Sequence, residues 1–142
     1  MNKIRLVKKY NYHDKNYISY TSEIALPAPK INTIIDFLFD EIQEDVDRFR
    51  DFVDDKTRLG RGGDAVSIEK DDNNHDILII DEEWHDCDET CPSRVVMHKD
   101  DFLKILNDWE KVYSQKSDEI IITQDENGKI SITGKFTDGR EI

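Results

Sequence analysis

Two rhythms of apolar positions run through this chain. A period of two marks strands, and a recurrence at three and four marks helices. Residues 3–10 (KIRLVKKY) alternate Ile4 and Leu6 with polar neighbours until the pattern breaks at Val7, and residues 17–26 (YISYTSEIAL) are rich in aromatic and β-branched side chains. With the polar stretch 11–16 between them, they predict two antiparallel strands. Pro27 and Pro29 end this sheet, because proline cannot donate to a ladder. Ile31, Ile34, Ile35, Leu38, Ile42, Val46, Phe49, Phe52 and Val53 then predict one helix of about six turns, with Asn32 or Thr33 as its cap. Residues 64–70 and 76–82 read as two strands joined by a turn at 71–75, and 94–98 as a third.

A second helix is predicted over about 99–115, opened by Lys99 or Asp100. Phe102, Leu103, Ile105, Leu106, Trp109, Val112 and Tyr113 supply its inward face. Residues 119–123 and 129–133 flank Asp125-Glu126-Asn127-Gly128, whose Asn-Gly pair signals a type I′ hairpin turn. The tail 137–142 reads as frayed. The order is ββ–α–βββ–α–ββ, with short connections between neighbouring strands. The expected fold is therefore α+β, a mainly antiparallel sheet with two helices packed against it, in a single domain spanning 1–142.

Charge changes this picture more than length does. The net charge is −12, unevenly spread: residues 1–35 carry six basic and two acidic side chains, residues 36–91 six basic and twenty acidic, and residues 92–142 eight basic and ten acidic. The stretch 71–91 holds nine Asp or Glu and no Lys or Arg. Such a field repels nucleic acid and anionic membranes and attracts basic proteins; the alternative is that it serves solubility alone. With no run of eighteen apolar residues, no membrane span is expected. With no apolar stretch near the N-terminus, no secretory signal is expected either, and the cytoplasm is the expected location.

Acidic side chains crowd the polar face of the first helix, among them Asp40, Glu44, Asp47 and Asp51. Asp54 and Asp55 at its C-terminal end oppose the helix dipole unless Lys56 and Arg58 offset them.

Motifs for chemistry are sparse. The glycines of 57–64 have neither phosphate-loop nor dinucleotide-binding order. His85, Cys87 and Cys91 are a candidate zinc cluster with His75 and His98 near in sequence, but two Cys and one His are not a complete ligand set; ordinary loop thiols or a reversible disulfide are the alternatives. A cysteine nucleophile is disfavoured because acidic surroundings destabilise the thiolate. The acidic positions 71, 72 and 76 lack calcium-loop spacing. No cofactor and no catalytic residue is expected, and the chain reads as a non-enzyme. Trp84, set between Glu83 and His85, has the aromatic-among-charges arrangement of an interface anchor; folding back over the sheet edge is its alternative.

The segment VVMHKDDFLKILNDWEKVY, a strand running into a helix with an F-L-x-x-L-x-x-W pattern and followed by a final hairpin, resembles the small immunity proteins of bacterial polymorphic toxin and contact-dependent growth inhibition systems, over roughly residues 92–136. The resemblance implies a cytoplasmic protein that binds a cognate basic toxin, often a nuclease, and covers its active site. It carries over no catalytic residues. The acidic composition suits that role independently, since carboxylates can pair with the Lys and Arg that otherwise hold phosphates. The expected contact face is Asp71, Asp72, Asp76, Glu82, Glu83, Trp84, Asp86, Asp88 and Glu89, with the acidic face of the first helix second. A nucleic-acid mimic that inhibits a DNA-binding protein, and a small zinc protein built on His85, Cys87 and Cys91, remain as alternatives.

Overall fold

The computed structural model describes residues 2–10, 18–22, 29–43, 45–57, 60–61, 66–71, 77–81 and 94–142. The fold is α+β and its strands are antiparallel throughout. They divide into two four-stranded sheets rather than joining in one. Strands β1 (Asn2–Tyr10), β2 (Ile18–Ser22), β7 (Glu119–Gln124) and β8 (Ile130–Lys135) form the first, in the order β2-β1-β7-β8. Strands β3 (Gly60–Arg61), β4 (Val66–Lys70), β5 (Ile77–Asp81) and β6 (Val95–Met97) form the second, in chain order. The N-terminal strand thus pairs with a C-terminal one, with Arg5 opposite Ile121 and Val7 opposite Glu119. The short strand β3 was not legible in the glycine-rich stretch; Gly60 lies opposite Glu69 on β4.

Helix α3 (Lys99–Ser114) forms as its sequence period requires. Phe102, Ile105, Leu106, Trp109 and Val112 are all buried, and the helix packs on β8 on one side and on α2 (Val46–Asp54) on the other. Its cap is His98, whose Nδ1 accepts the Asp100 N–H at 3.1 Å, and Asp100 and Asp101 sit in the first turn where the dipole favours acid. Leu6, Ile120, Ile122, Ile130 and Ile132 of the first sheet, α3, and Val66, Ile68 and Ile77 of the second sheet belong to one core cluster.

The first predicted helix is not continuous. It comprises α1 (Pro29–Asp36), a π-helical turn (Phe37–Ile42) and α2. Helix α1 starts at Pro29, whose fixed φ suits a first helical position. Thr33, read as a cap, is buried inside it instead. The break follows from the spacing of the apolar residues. Ile34, Leu38, Ile42 and Val46 are all buried and each is four residues from the next. In an α-helix each such step overshoots a full turn by about 40°, so three steps would carry Val46 well off the core-facing side. The wider π turn needs more residues per revolution and reverses that drift. It closes with the Gln43 N–H on the Leu38 carbonyl at 2.9 Å. Gln43 then takes φ 49°, a left-handed conformation rare for a side-chain-bearing residue. The Trp109 indole N–H donates to the Gln43 carbonyl at 2.9 Å, which fixes the joint to α3.

Two further expectations are corrected at the C-terminal end. The hairpin turn is not type I′, which requires positive φ at both central residues. Gly128 has φ 81° but Asn127 does not share it. The Gly128 N–H bonds the Asp125 carbonyl, and the Asp125 N–H bonds Lys129, the pattern of a type I turn with a glycine bulge. The tail is not frayed: the Ile142 N–H bonds the Gly134 carbonyl at 2.9 Å, and Lys135 bridges to Glu141. The expected turns at 11–16 and 71–75 fall largely on residues outside those described.

Gly134 on β8 lies close against Val112 of α3 and against Ser117 just beyond it. A Cβ there would lie 2.8 Å from Ser117 Oγ and 3.1 Å from Val112 Cγ1. Ser117 is buried and its hydroxyl donates to the Glu119 carbonyl, so it has little room to yield. Gly134→Ala is expected to destabilise the fold by about 1–3 kcal/mol, the usual cost of overpacking, as read from urea unfolding midpoints.

Candidate functional site

The acidic residues of α2 are set by helical spacing. Asp47, Asp51 and Asp54 recur at four and three residues and therefore share one face; all three are exposed. On the opposite side of the helix Val46, Phe49, Phe52 and Val53 are buried. Residues 45–55 carry five carboxylates and two arginines.

Both arginines are committed internally. Arg50 donates to both oxygens of Glu110 on α3 at 2.9 and 3.0 Å, to Asp47 at 2.7 Å and to the Asn107 amide oxygen at 2.7 Å. These partners push the Arg50 guanidinium still further into its charged form, and the Arg50 hydrogen bond holds the Glu110 carboxyl below its ordinary range. Arg48 lies 3.4 Å from Asp45, donates to the Glu41 carbonyl at 2.9 Å and sits over the Phe49 ring. Asp51 and Asp54, by contrast, make no side-chain hydrogen bond or ion pair among the described residues. Like charges at this spacing repel by a few tenths of a kcal/mol per pair, so the stripe stores a mild repulsion that an external cation would relieve.

The C-terminal end of α2 is stabilised by a residue the sequence reading passed over. Lys56 is exposed, and Arg58 lies outside the described residues. The cation seen on the last carbonyls of the helix is Lys70 on β4. It occupies a buried position in alternation with Val66 and Ile68. Its Nζ donates to the Phe52 carbonyl at 2.6 Å and to the Asp55 carbonyl, and lies 4.5 Å from the Phe52 ring centroid. A cation on the last carbonyls of a helix satisfies both their hydrogen bonding and the dipole. Burial nonetheless lowers the Lys70 pKa against the pull of Asp55 and Asp54. The available signal was parity, since strict alternation along 66–70 puts the lysine on the inward face.

The contact with Lys70 also brings Asp71, exposed at the end of β4, beside the acidic end of α2. Lys70 is paired with Ile77 and Val66 with Asp81, so Asp71 and Asp81 lie at opposite ends of the β4–β5 pair; the rest of the acidic run lies outside the described residues.

Of the expected contact residues, Asp47, Asp51 and Asp71 have described, exposed side chains, and Asp40 is placed by its backbone in the π turn. Glu44, Asp72, Asp76, Glu82, Glu83, Trp84, Asp86, Asp88 and Glu89 lie outside the described residues, as do His75, His85, Cys87 and Cys91. His98, read as a nearby metal ligand, is engaged as the α3 cap. Among the described residues no group of three or more His, Cys, Asp or Glu is arranged to hold a metal, and no helix is long and apolar enough to cross a membrane. Trp109 is in the core, as its helical position required.

A concave feature of about 560 Å³ lies between β6, the first two turns of α3 and the β7–β8 hairpin. No family model, curated protein or solved structure matches this chain.

Two pH dependences follow from these contacts. Glu110 titrates lower in the folded state, so its contribution is complete above its ordinary value of 4.5 and is lost as pH falls through the depressed one. Because the pair is half exposed, Glu110→Gln is expected to cost less than about 1 kcal/mol at neutral pH, and to flatten the loss of stability below pH 4.5 in acid-titrated urea melts. Lys70 behaves in the opposite range. Its folded form releases the proton before the unfolded form does, so stability rises with pH between the depressed value and 10.5. Lys70→Met should remove that alkaline rise relative to the wild type, seen by comparing unfolding free energies across the window.

Proposed function

We propose that this protein is an immunity-type inhibitor: a non-catalytic acidic domain that binds a cognate basic toxin, of nuclease type, and occludes the groove that holds its substrate. The observation that carries the reading is the α2 stripe. Its two arginines are engaged by internal partners, while Asp51 and Asp54 make no side-chain hydrogen bond or ion pair among the described residues and Asp47 is 82% exposed. A fold selected for stability alone gains nothing from like charges at helical spacing. A partner's lysines and arginines, which otherwise contact phosphates, meet there Asp51 and Asp54, which hold no ion pair among the described residues, and the exposed Asp47, which they would share with Arg50. Asp71 extends the same charge beyond the end of the helix. The net charge of −12 raises the encounter rate with such a partner at low salt. The resemblance of residues 92–136 to bacterial immunity proteins points to the same class and to a cytoplasmic site of action.

The test is capture and inhibition. Immobilised protein, incubated with extract of the source bacterium at about 0.15 M salt, where screening is already within 8 Å, is expected to retain one basic partner. One equivalent should abolish that partner's nuclease activity. Combined Asp47→Lys and Asp51→Lys should weaken capture by at least about 30-fold, each reversal costing on the order of the 1–3 kcal/mol typical of interface charges. Undiminished capture by that double variant would sink the assignment of this face. Retention of no basic partner at any salt would sink the reading itself.

A further inference from the structure

The cleft beside β6 has a property that separates it from an ordinary surface dent. Its walls are lined by consecutive residues: Val95, Val96 and Met97 on β6, and Lys129, Ile130 and Ser131 at the start of β8. Successive side chains of a strand point to opposite faces. A cleft lying on a sheet face therefore touches every second residue, and one that touches three in a row meets the strand at its edge. The topology agrees, since among the described residues β6 is an outer strand of one sheet and β8 an outer strand of the other. The cleft is therefore bounded by two strand edges, with the buried Ile105 of α3 between them. Strand edges offer backbone N–H and C=O groups at a spacing that only another extended chain matches. Beside this edge Val96 is 64% exposed, the one large apolar side chain so exposed among the described residues.

The lining charges select the occupant. Lys104 is already neutralised by Asp108 at 2.7 Å. Asp101 makes no hydrogen bond or ion pair among the described residues. Asp125 spends one oxygen on the backbone N–H groups of Asn127 and Lys129 and keeps its charge. Two carboxylates thus face the single open cation of Lys129, in a chain whose overall field is strongly negative.

We infer that this cleft binds an extended polypeptide segment bearing basic side chains, which adds as a strand to the edge of β6. The inference rests on the reading above that the partner is a basic protein, and assigns to that partner a second, backbone-directed contact. The α2 stripe supplies attraction; the strand edge supplies register, because main-chain hydrogen bonds fix a peptide's position while alternate side chains meet Val96 and the acidic rim.

The probe is an acetylated, amidated hexapeptide alternating lysine and valine, titrated into the isotope-labelled full chain and followed by amide resonances. Shifts concentrated at Val95–Met97 and Lys129–Ser131 are expected, with slowed amide exchange along β6. N-methylation of alternate peptide amides keeps the charge and removes the strand donors; it should weaken binding roughly tenfold, the loss of one or two such bonds. Val96→Lys places a like charge on an exposed position, leaves the core untouched and should weaken binding to a similar degree. Equal binding of the methylated peptide, or shifts confined to α2, would overturn the inference, as would absence of any shift. A concentration-dependent dimer dissolved by Val96→Lys would also overturn it, by making a second copy the occupant. Partner capture that fails while the peptide still seats on β6 would overturn the inhibitor reading alone.

Discussion

Burial of the inward face of α3 is the constraint on which the rest of the structure depends. Phe102, Leu106 and Trp109 have essentially no exposed surface, and Ile105 and Val112 nearly none. Each such side chain contributes on the order of 1.5–3 kcal/mol by leaving water. Because this helix packs on β8 and on α2, it draws the C-terminal sheet and the N-terminal helices into one core. Gly134 marks how closely the sheet approaches it. The Trp109 ring, stacked on Tyr113 and meeting Phe39 edge-on, reaches across to hold the Gln43 joint.

The polar interactions follow from that packing. Arg50 can satisfy Asp47, Asn107 and Glu110 together only because α2 and α3 already lie side by side. Lys70 reaches the last carbonyls of α2 only because β4 runs beneath the end of that helix. Each of these cations is committed to a structural task. The functional proposal draws on the α2 carboxylates that this leaves without an ion pair among the described residues. The cleft is a consequence of the same arrangement: two sheets that do not merge leave β6 and β8 among their outer strands, and residues of α3 lie between these two.

Most individual elements were legible in the sequence because they are governed by local periodicity. The alternation of 119–123 and 129–133, the three-and-four spacing of 102–113 and the short run 94–98 each produced the expected element within a residue or two. The departures occur where local signals compete with packing. Asn127-Gly128 suits a type I′ turn, yet the Asp125 carboxylate binds the N–H groups of Asn127 and Lys129, and the turn is type I with a bulge. The helix at 31–53 is apolar along one stripe, but a run of four-residue steps does not stay on one face of an α-helix, and the chain inserts a π turn to keep Val46 in the core.

The sequence by itself determined the fold class, the antiparallel strand pairs made by short connections, the core positions of α3 and the strong negative charge of the middle of the chain, because each depends on residue type and spacing within a few turns or one hairpin. Only the tertiary structure decided that β1 joins β7 and that the strands form two sheets, since pairing across more than a hundred residues leaves no local period to read. It also decided which charges remain open. Composition counts Lys70, Arg48 and Arg50 alike as cations, whereas the fold engages each with partners of its own and leaves Asp51 without an ion pair among the described residues, because the availability of a charge depends on its neighbours in space rather than on its neighbours in the chain.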